Sequence, residues 1–234
     1  MKRKPVFVFD LDETLISTAK RQYSVMSDFF HSKNIEFPYN INEYSSLRKN
    51  NNLSNSDFFK IVCGNPDHFN AFRLFYSKFI ESTKYLDIDS LIVDIELLAE
   101  FTSSLKIDLI LLSLRSNKSH SSVQLDRLNL KRFFLETIFL NHDAQENPKT
   151  HDLKRLQKIY NIVGFVGDSQ SDFEASTETK IPFYKVNTGI YAYSINSEVY
   201  DNINEFLLNQ LKYAKIQSDP NGAQLSGENG GVTF

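Results

Sequence analysis

Tryptophan is absent from the 234 residues, methionine occurs twice and cysteine once. The single thiol, Cys63, excludes an internal disulfide and is expected to pack as a small hydrophobe. Phenylalanine and tyrosine, 20 and 11 residues, supply the aromatic volume that tryptophan does not. With 41% hydrophobic and 24% charged residues the chain has ordinary globular balance and enough apolar material for a sizeable core. Long apolar runs are missing too, and nothing approaches the ~18 residues of a membrane span. The basic start, Met1-Lys2-Arg3-Lys4, meets Pro5 and a short apolar strand. No secretory signal is read there, because neither a longer apolar stretch nor a small-residue cleavage site comes after it. A net charge of −3 is small and of the wrong sign for general nucleic-acid affinity. The five histidines lack zinc-like spacing. The expectation is a cytoplasmic protein with no membrane or nucleic-acid partner.

What is present alternates. Short apolar runs at 6–9, 105–112, 137–140, 162–166 and 183–186 read as buried parallel strands. Between them, 123–130, 153–159 and 201–214 carry apolar residues at helical spacing. Strands alternating with helices imply right-handed crossovers and a parallel α/β sheet. The stretch 18–88 breaks the pattern: about 70 residues without a clear strand are too long for a loop and read as a mostly helical insert. Its aromatic stripe, Phe69, Phe72, Phe75, Tyr76 and Phe79, is expected to be that insert's own core. The polar run 49–56 reads as a loop, with Ser54 or Ser56 capping the next helix. The division expected is 1–17 with 89–215 for the α/β core, 18–88 for the helical domain, and a disordered Gly-rich tail over 216–234.

Four places carry chemistry. Val6-Phe7-Val8-Phe9-Asp10-Leu11-Asp12 delivers two carboxylates at the carboxyl end of a strand, where open parallel sheets bind ligands. Acids this close repel unless a cation neutralises them or one keeps its proton. The run at 109–112 ends in Ser113, whose hydroxyl and neighbouring N–H groups can hold phosphate oxygens or cap a helix. Lys149 stands before a predicted helix and can neutralise an acid and a phosphoryl group; Lys154 is its rival, and a solvated lysine the plain alternative. Gly167-Asp168 ends another strand, with Asp172 four residues on. Gly167 permits close approach or an unusual dihedral. Asp168 can meet Asp10 across a cation, for which oxygen ligands favour magnesium. Asp172 can hold a metal-bound water, orient the lysine, or cap a helix.

In this order, Asp10-x-Asp12-x-Thr14, Ser113, Lys149 and Gly167-Asp168-x-x-x-Asp172, the sequence resembles the haloacid dehalogenase superfamily of phosphohydrolases over 6–186. Arg115-Ser116-Asn117 also resembles the segment just after the second motif in phosphoglycolate-phosphatase-like members. One departure is that Pro148 precedes Lys149, where many relatives carry proline after the lysine.

The resemblance implies a Rossmann-like three-layer core with a small helical cap. It makes Asp10 the nucleophile, forming an aspartyl-phosphate, and Asp12 the acid and then the base. Ser113 and Lys149 would bind the phosphoryl group. Magnesium would be held by Asp10, Asp168 and the Asp12 backbone carbonyl, with Asp172 behind them. An acid at Asp12 favours a phosphate ester or anhydride, hence a small phosphorylated metabolite as substrate. Arg48 and Lys49 can bind an anionic part of it or form a solvated surface pair. A phosphomutase acting on a sugar phosphate is the alternative enzyme, and a non-catalytic binding module the alternative class. A phospho-accepting receiver fits poorly, because its third strand would need an Asp that is missing here and the long insert is foreign to it.

Overall fold

The computed structural model describes residues 4–142, 146–195 and 198–218. Six strands form one parallel sheet: β1 (Pro5–Phe9), β4 (Asp108–Leu114), β5 (Phe134–Leu140), β6 (Asn161–Gly167), β7 (Phe183–Val186) and β8 (Glu198–Tyr200), in the order β5-β4-β1-β6-β7-β8. A second sheet pairs the two-residue strands β2 (Ile16–Ser17) and β3 (Ser90–Leu91), antiparallel. β1 lies at the centre, with β4 on one side and β6 on the other, so the connections leave in opposite directions beside its carboxyl end. That is the switch point at which such sheets bind ligands.

Alternation along β1 explains the layers. Phe7 and Phe9 face one side and pack with Phe101 of α6 (Ile95–Leu105) and Phe206 of α10 (Ile203–Ser218). Val6 and Val8 face the other, against Leu153 and Leu156 of α8 (Pro148–Gln157) and Ala175 of α9 (Gln170–Thr179). The result is a three-layer, Rossmann-like α/β fold. Gly164 belongs to the first face: a Cβ there would come within 2.4 Å of the Phe7 ring.

Five helices lie between β2 and β3: α1 (Ala19–Ser32), α2 (Ile41–Asn51), α3 (Asn55–Val62), α4 (Pro66–Phe79) and α5 (Thr83–Leu86). They bury a separate cluster built on Phe29, Phe30, Tyr44, Phe58, Phe59 and Phe72, and Cys63 packs against it. α7 (Lys118–Arg127) comes after β4, and a short 3-10 helix at Lys131–Phe133 leads into β5.

Several expected bounds change. The polar run 49–56 is mostly helix: α2 continues to Asn51, and only 52–54 separate it from α3. Asn52 supplies the left-handed C-cap at φ 53°, and Ser54 the N-cap, its hydroxyl accepting from the Asp57 N–H. The second strand begins at Asp108, because Leu105 ends α6 and Lys106 turns left-handed. β2, β3 and β8 were not expected; at two or three residues they are too short for periodicity to reveal. α10 runs past the boundary expected at 215 to Ser218, and the rest of the expected tail lies outside the described residues.

Candidate active site

Asp10 is the first residue beyond β1 and is fixed by its own N–H, which donates to the Val166 carbonyl of β6 at 2.9 Å. Its side chain is buried. Lys149, at the start of α8, reaches it from the next layer: Nζ donates to Asp10 Oδ1 at 2.6 Å and to Asp172 Oδ1 at 2.5 Å. The unusual neighbour explains this placement. Pro148 takes the first turn of α8, where no N–H is needed, and Asn147 caps it by accepting from the Lys149 N–H. Lys149 is left 2% exposed, whereas Lys154 is an exposed partner of Glu178.

Asp172 answers two of the readings offered for it. Its Oδ1 takes the lysine, and its Oδ2 accepts from the Ser169 N–H and hydroxyl in a capping box that starts α9. This fit depends on Gly167. A Cβ at that position would stand 2.6 Å from Asp172 Oδ2, so close approach is what the glycine provides. Gly167→Ala is therefore expected to displace Asp172 and loosen Lys149. Overpacking of this kind should lower the melting temperature by about 3–10 °C, read by thermal unfolding, together with a loss of turnover.

Carboxylate oxygens of Asp10, Asp168 and Asp172 lie within 4.8 Å of one another. Three acids face one ammonium. Burial raises Asp10 to about 7 against the pull of Lys149, and Asp172 adds to the rise. Asp168 is pushed well above the usual carboxylate range by burial and then by Asp10 and Asp172. A divalent cation would balance the excess charge, and the all-oxygen donor set fits a hard divalent metal. Both oxygens of Asp172 already have hydrogen-bond partners, whereas only Oδ1 of Asp10 meets Lys149. Thr14 Oγ1 sits 3.4 Å from Asp168 Oδ1.

Asp12 turns elsewhere. Arg115 grips it with two nitrogens, Nε donating to Oδ2 at 2.8 Å and Nη2 to Oδ1, and Arg21 Nη2 adds a bond to Oδ1 at 3.2 Å. Burial works against the charge, but the two guanidiniums outweigh it and hold the carboxyl down at about 2. Buried Asp89, bonded by Gln124, completes this network. Neither Arg21 nor Asp89 carried a signal in the sequence, and Arg115 drew notice only as part of a resemblance.

Ser113 is buried near the end of β4. Phe9 pairs with Leu111, so Ser113 runs alongside the segment just beyond β1. It caps no helix; Asn117 caps α7. Glu13, beside the acid pair, holds a positive φ of 55° and accepts from the Thr18 N–H and hydroxyl at 2.6 Å.

The family model for haloacid dehalogenase-like hydrolases matches residues 7–186. No curated protein matches the chain. Among solved structures it is similar to a haloacid dehalogenase-like hydrolase from Streptococcus pneumoniae (18% identity, TM-score 0.66), covering 90% of this chain and 98% of that one. It is similar as well to a hydrolase of the same superfamily from Geobacter sulfurreducens (13%, 0.66, 88% and 96%). A third, from Haemophilus somnus, is described as a predicted phosphoglycolate phosphatase (18%, 0.66, 89% and 99%). These likenesses concern the fold; the match over most of the chain, on a site of this construction, establishes that the chain belongs to the haloacid dehalogenase-like hydrolases.

Proposed function

We propose that the protein is a magnesium-dependent phosphatase that hydrolyses a small phosphorylated metabolite through an aspartyl-phosphate on Asp10. The observation that carries this reading is the buried Asp10 carboxylate, paired with Lys149 and gathered with Asp168 and Asp172 at the central strand's carboxyl end.

Each residue has a task in it. Asp10 attacks phosphorus and forms a covalent acyl phosphate as the substrate's ester oxygen leaves, which splits one hard step into two. Lys149 limits the rise that burial imposes on the Asp10 carboxyl and meets the phosphoryl oxygens, and Ser113 offers its hydroxyl to the same group. Magnesium would be held by Asp10, Asp168 and the Asp12 backbone carbonyl, and would neutralise charge on the phosphoryl group. Asp12 is the acid for the leaving oxygen and then the base for water. In the observed conformation it is a carboxylate under guard, so acid work requires it to leave Arg115 and Arg21 and take up a proton. Arg21 belongs to the insert, whereas Arg115 belongs to the core with Asp12, so movement of the insert, acting as a cap, would take Arg21 out of that grip and leave Arg115 alone to be displaced.

The test is release of free phosphate from a panel of sugar, nucleotide and short-acid phosphates with magnesium, suppressed by chelation. Isomerisation of a hexose phosphate without phosphate release would replace the phosphatase by a phosphomutase.

Metal dependence also predicts a stability signature. Burial pushes the Asp10 carboxyl up to about 7 from the ordinary 3.8. A raised acid contributes stability that is full below the unfolded value and is lost as pH rises through the folded one. The metal-free protein should thus weaken progressively as pH climbs from 3.8 to about 7. Magnesium at a hundredfold excess over Kd should add about 2.7 kcal/mol, or about 5–10 °C. That gain should be larger at about pH 8 than at about pH 5, where protons hold the same carboxylates. Equal gains at both pH values would count against the site.

A further inference from the structure

Cations around this site fall into two sets. Lys149, Arg21 and Arg115 face carboxylates. Arg48 and Lys185 do not: among the described residues neither enters an ion pair. Arg48, on α2, is 3% exposed. Its guanidinium donates to neutral groups, the Gln22 side-chain carbonyl, the Tyr44 hydroxyl at 2.8 Å and the Tyr191 hydroxyl. Its buried Nε has no partner. Lys185, on β7, is 7% exposed, donates to the Tyr193 carbonyl at 2.6 Å and lies 4.0 Å from the centre of the Tyr193 ring. Burial and nearby Lys49 depress its pKa, while Asp168 opposes them. A buried cation without a counter-ion is costly to keep, and here two are kept.

These residues border two adjoining cavities. Arg48, Lys49, Tyr44 and Gly189 line one of about 100 Å³. Lys49, Lys185, Gly189, Tyr191, Tyr193 and Asp168 line another of about 400 Å³. The larger cavity therefore runs from Asp168 of the acid cluster to Lys185, and Arg48 borders the smaller one. Residues of the loop 187–193 line both. The loop packs so tightly on Asp168 that a Cβ on Gly189 would stand 2.7 Å from Asp168 Oδ2. Lys49 reaches the same loop, donating to the Asn187 carbonyl at 2.8 Å. Two other acids border these cavities. The Glu13 carboxyl is spent on Thr18, and Asp201 is exposed.

We propose that these cavities hold the part of the substrate that is not transferred, and that this part is anionic. The substrate class is a small phosphate monoester bearing a second anionic group, carboxylate or phosphate, met by Lys185, Lys49 and Arg48. This rests on the phosphatase reading and deepens it. A charge-assisted contact gives discrimination that an apolar wall does not, because the cation is left unpaired when the group is missing.

The experiment compares three phosphate esters of one short chain, ending in a carboxylate, a second phosphate or a hydroxyl. At least one anionic ester should exceed the hydroxyl ester in kcat/KM by about 10- to 100-fold, and the better of the two identifies the group. Lys185→Met and Arg48→Met should each cut that ratio by about tenfold, through KM. Arg48 also ties α2 to Gln22 and Tyr191, so Lys185→Met decides the matter should the other variant lose its circular dichroism. Equal turnover of all three esters would overturn the proposal, as would variants that weaken all three alike. Calorimetric binding of the same esters to Asp10→Asn protein reads the cavities without turnover. Tighter binding of an anionic ester there supports the subsite even if hydrolysis of all three fails and the phosphatase reading falls. Equal binding sinks the subsite alone.

Discussion

Asp10→Asn is expected to reduce phosphate release by about ten-thousandfold or more, the scale left when a nucleophile is removed and only binding and positioning remain. The change is nearly isosteric, so the packing around the end of β1 should survive. An amide neither attacks phosphorus well nor holds a divalent cation as a carboxylate does. It also removes one of three mutually repelling acids. The metal-free variant should therefore be no less stable than the parent at about pH 8, while its stabilisation by magnesium shrinks. Loss of activity with retained melting temperature is the pattern required, measured by phosphate release and thermal unfolding on the same preparation. A variant keeping a tenth of the activity would remove Asp10 from the role of nucleophile.

The parts of this architecture that can be read along the chain are those written locally. Residues 6–9 form an unbroken apolar run that stops at an acid, and both burial of the strand and exposure of its end to the switch point result from that. Gly167-Asp168 repeats the device on β6. Lys149 is separated from Lys154 by a local cause as well, the proline and asparagine that start α8 just before it. What escapes is non-local. Arg115 lies 103 residues from Asp12, and nothing near either residue announces that they pair. Arg21 sits on a helix whose sequence is otherwise ordinary, and its buried face is set by the core it meets. Arg48 stands just before the polar run 49–56, where a solvated surface pair with Lys49 is the plain reading, yet Tyr44 below it and Tyr191 from far along the chain enclose it. The strands β2, β3 and β8 fail for a different reason, since two or three residues carry no period.

Lys149→Met should cost both activity and stability, and the pH dependence of the stability loss separates its cause from simple repacking. Methionine fills much of the lysine's volume but leaves Asp10, Asp168 and Asp172 with no cation among them. Removing one partner of a buried ion pair destabilises by about 3–5 kcal/mol, which for a chain of this length is a fall of about 6–20 °C in melting temperature. The penalty falls on ionised acids. Lys149 pulls the Asp10 pKa down against burial and Asp172, so its loss lets that value rise further. At about pH 5 Asp10 and Asp168 then carry protons and the variant should approach the parent. As pH rises past about 7 they must ionise without a partner, and the gap should widen. Magnesium should narrow it again at about pH 8, because it supplies charge to the same carboxylates, but hydrolysis should stay depressed by about a thousandfold for want of the donor that meets the phosphoryl group. Lys149→Arg keeps the charge but brings a planar fork into a slot shaped for one ammonium between two carboxylates, so it should restore more stability than activity. Equal melting temperatures of parent and Lys149→Met at about pH 8 without metal would mean that the three acids do not share this lysine as their counter-ion.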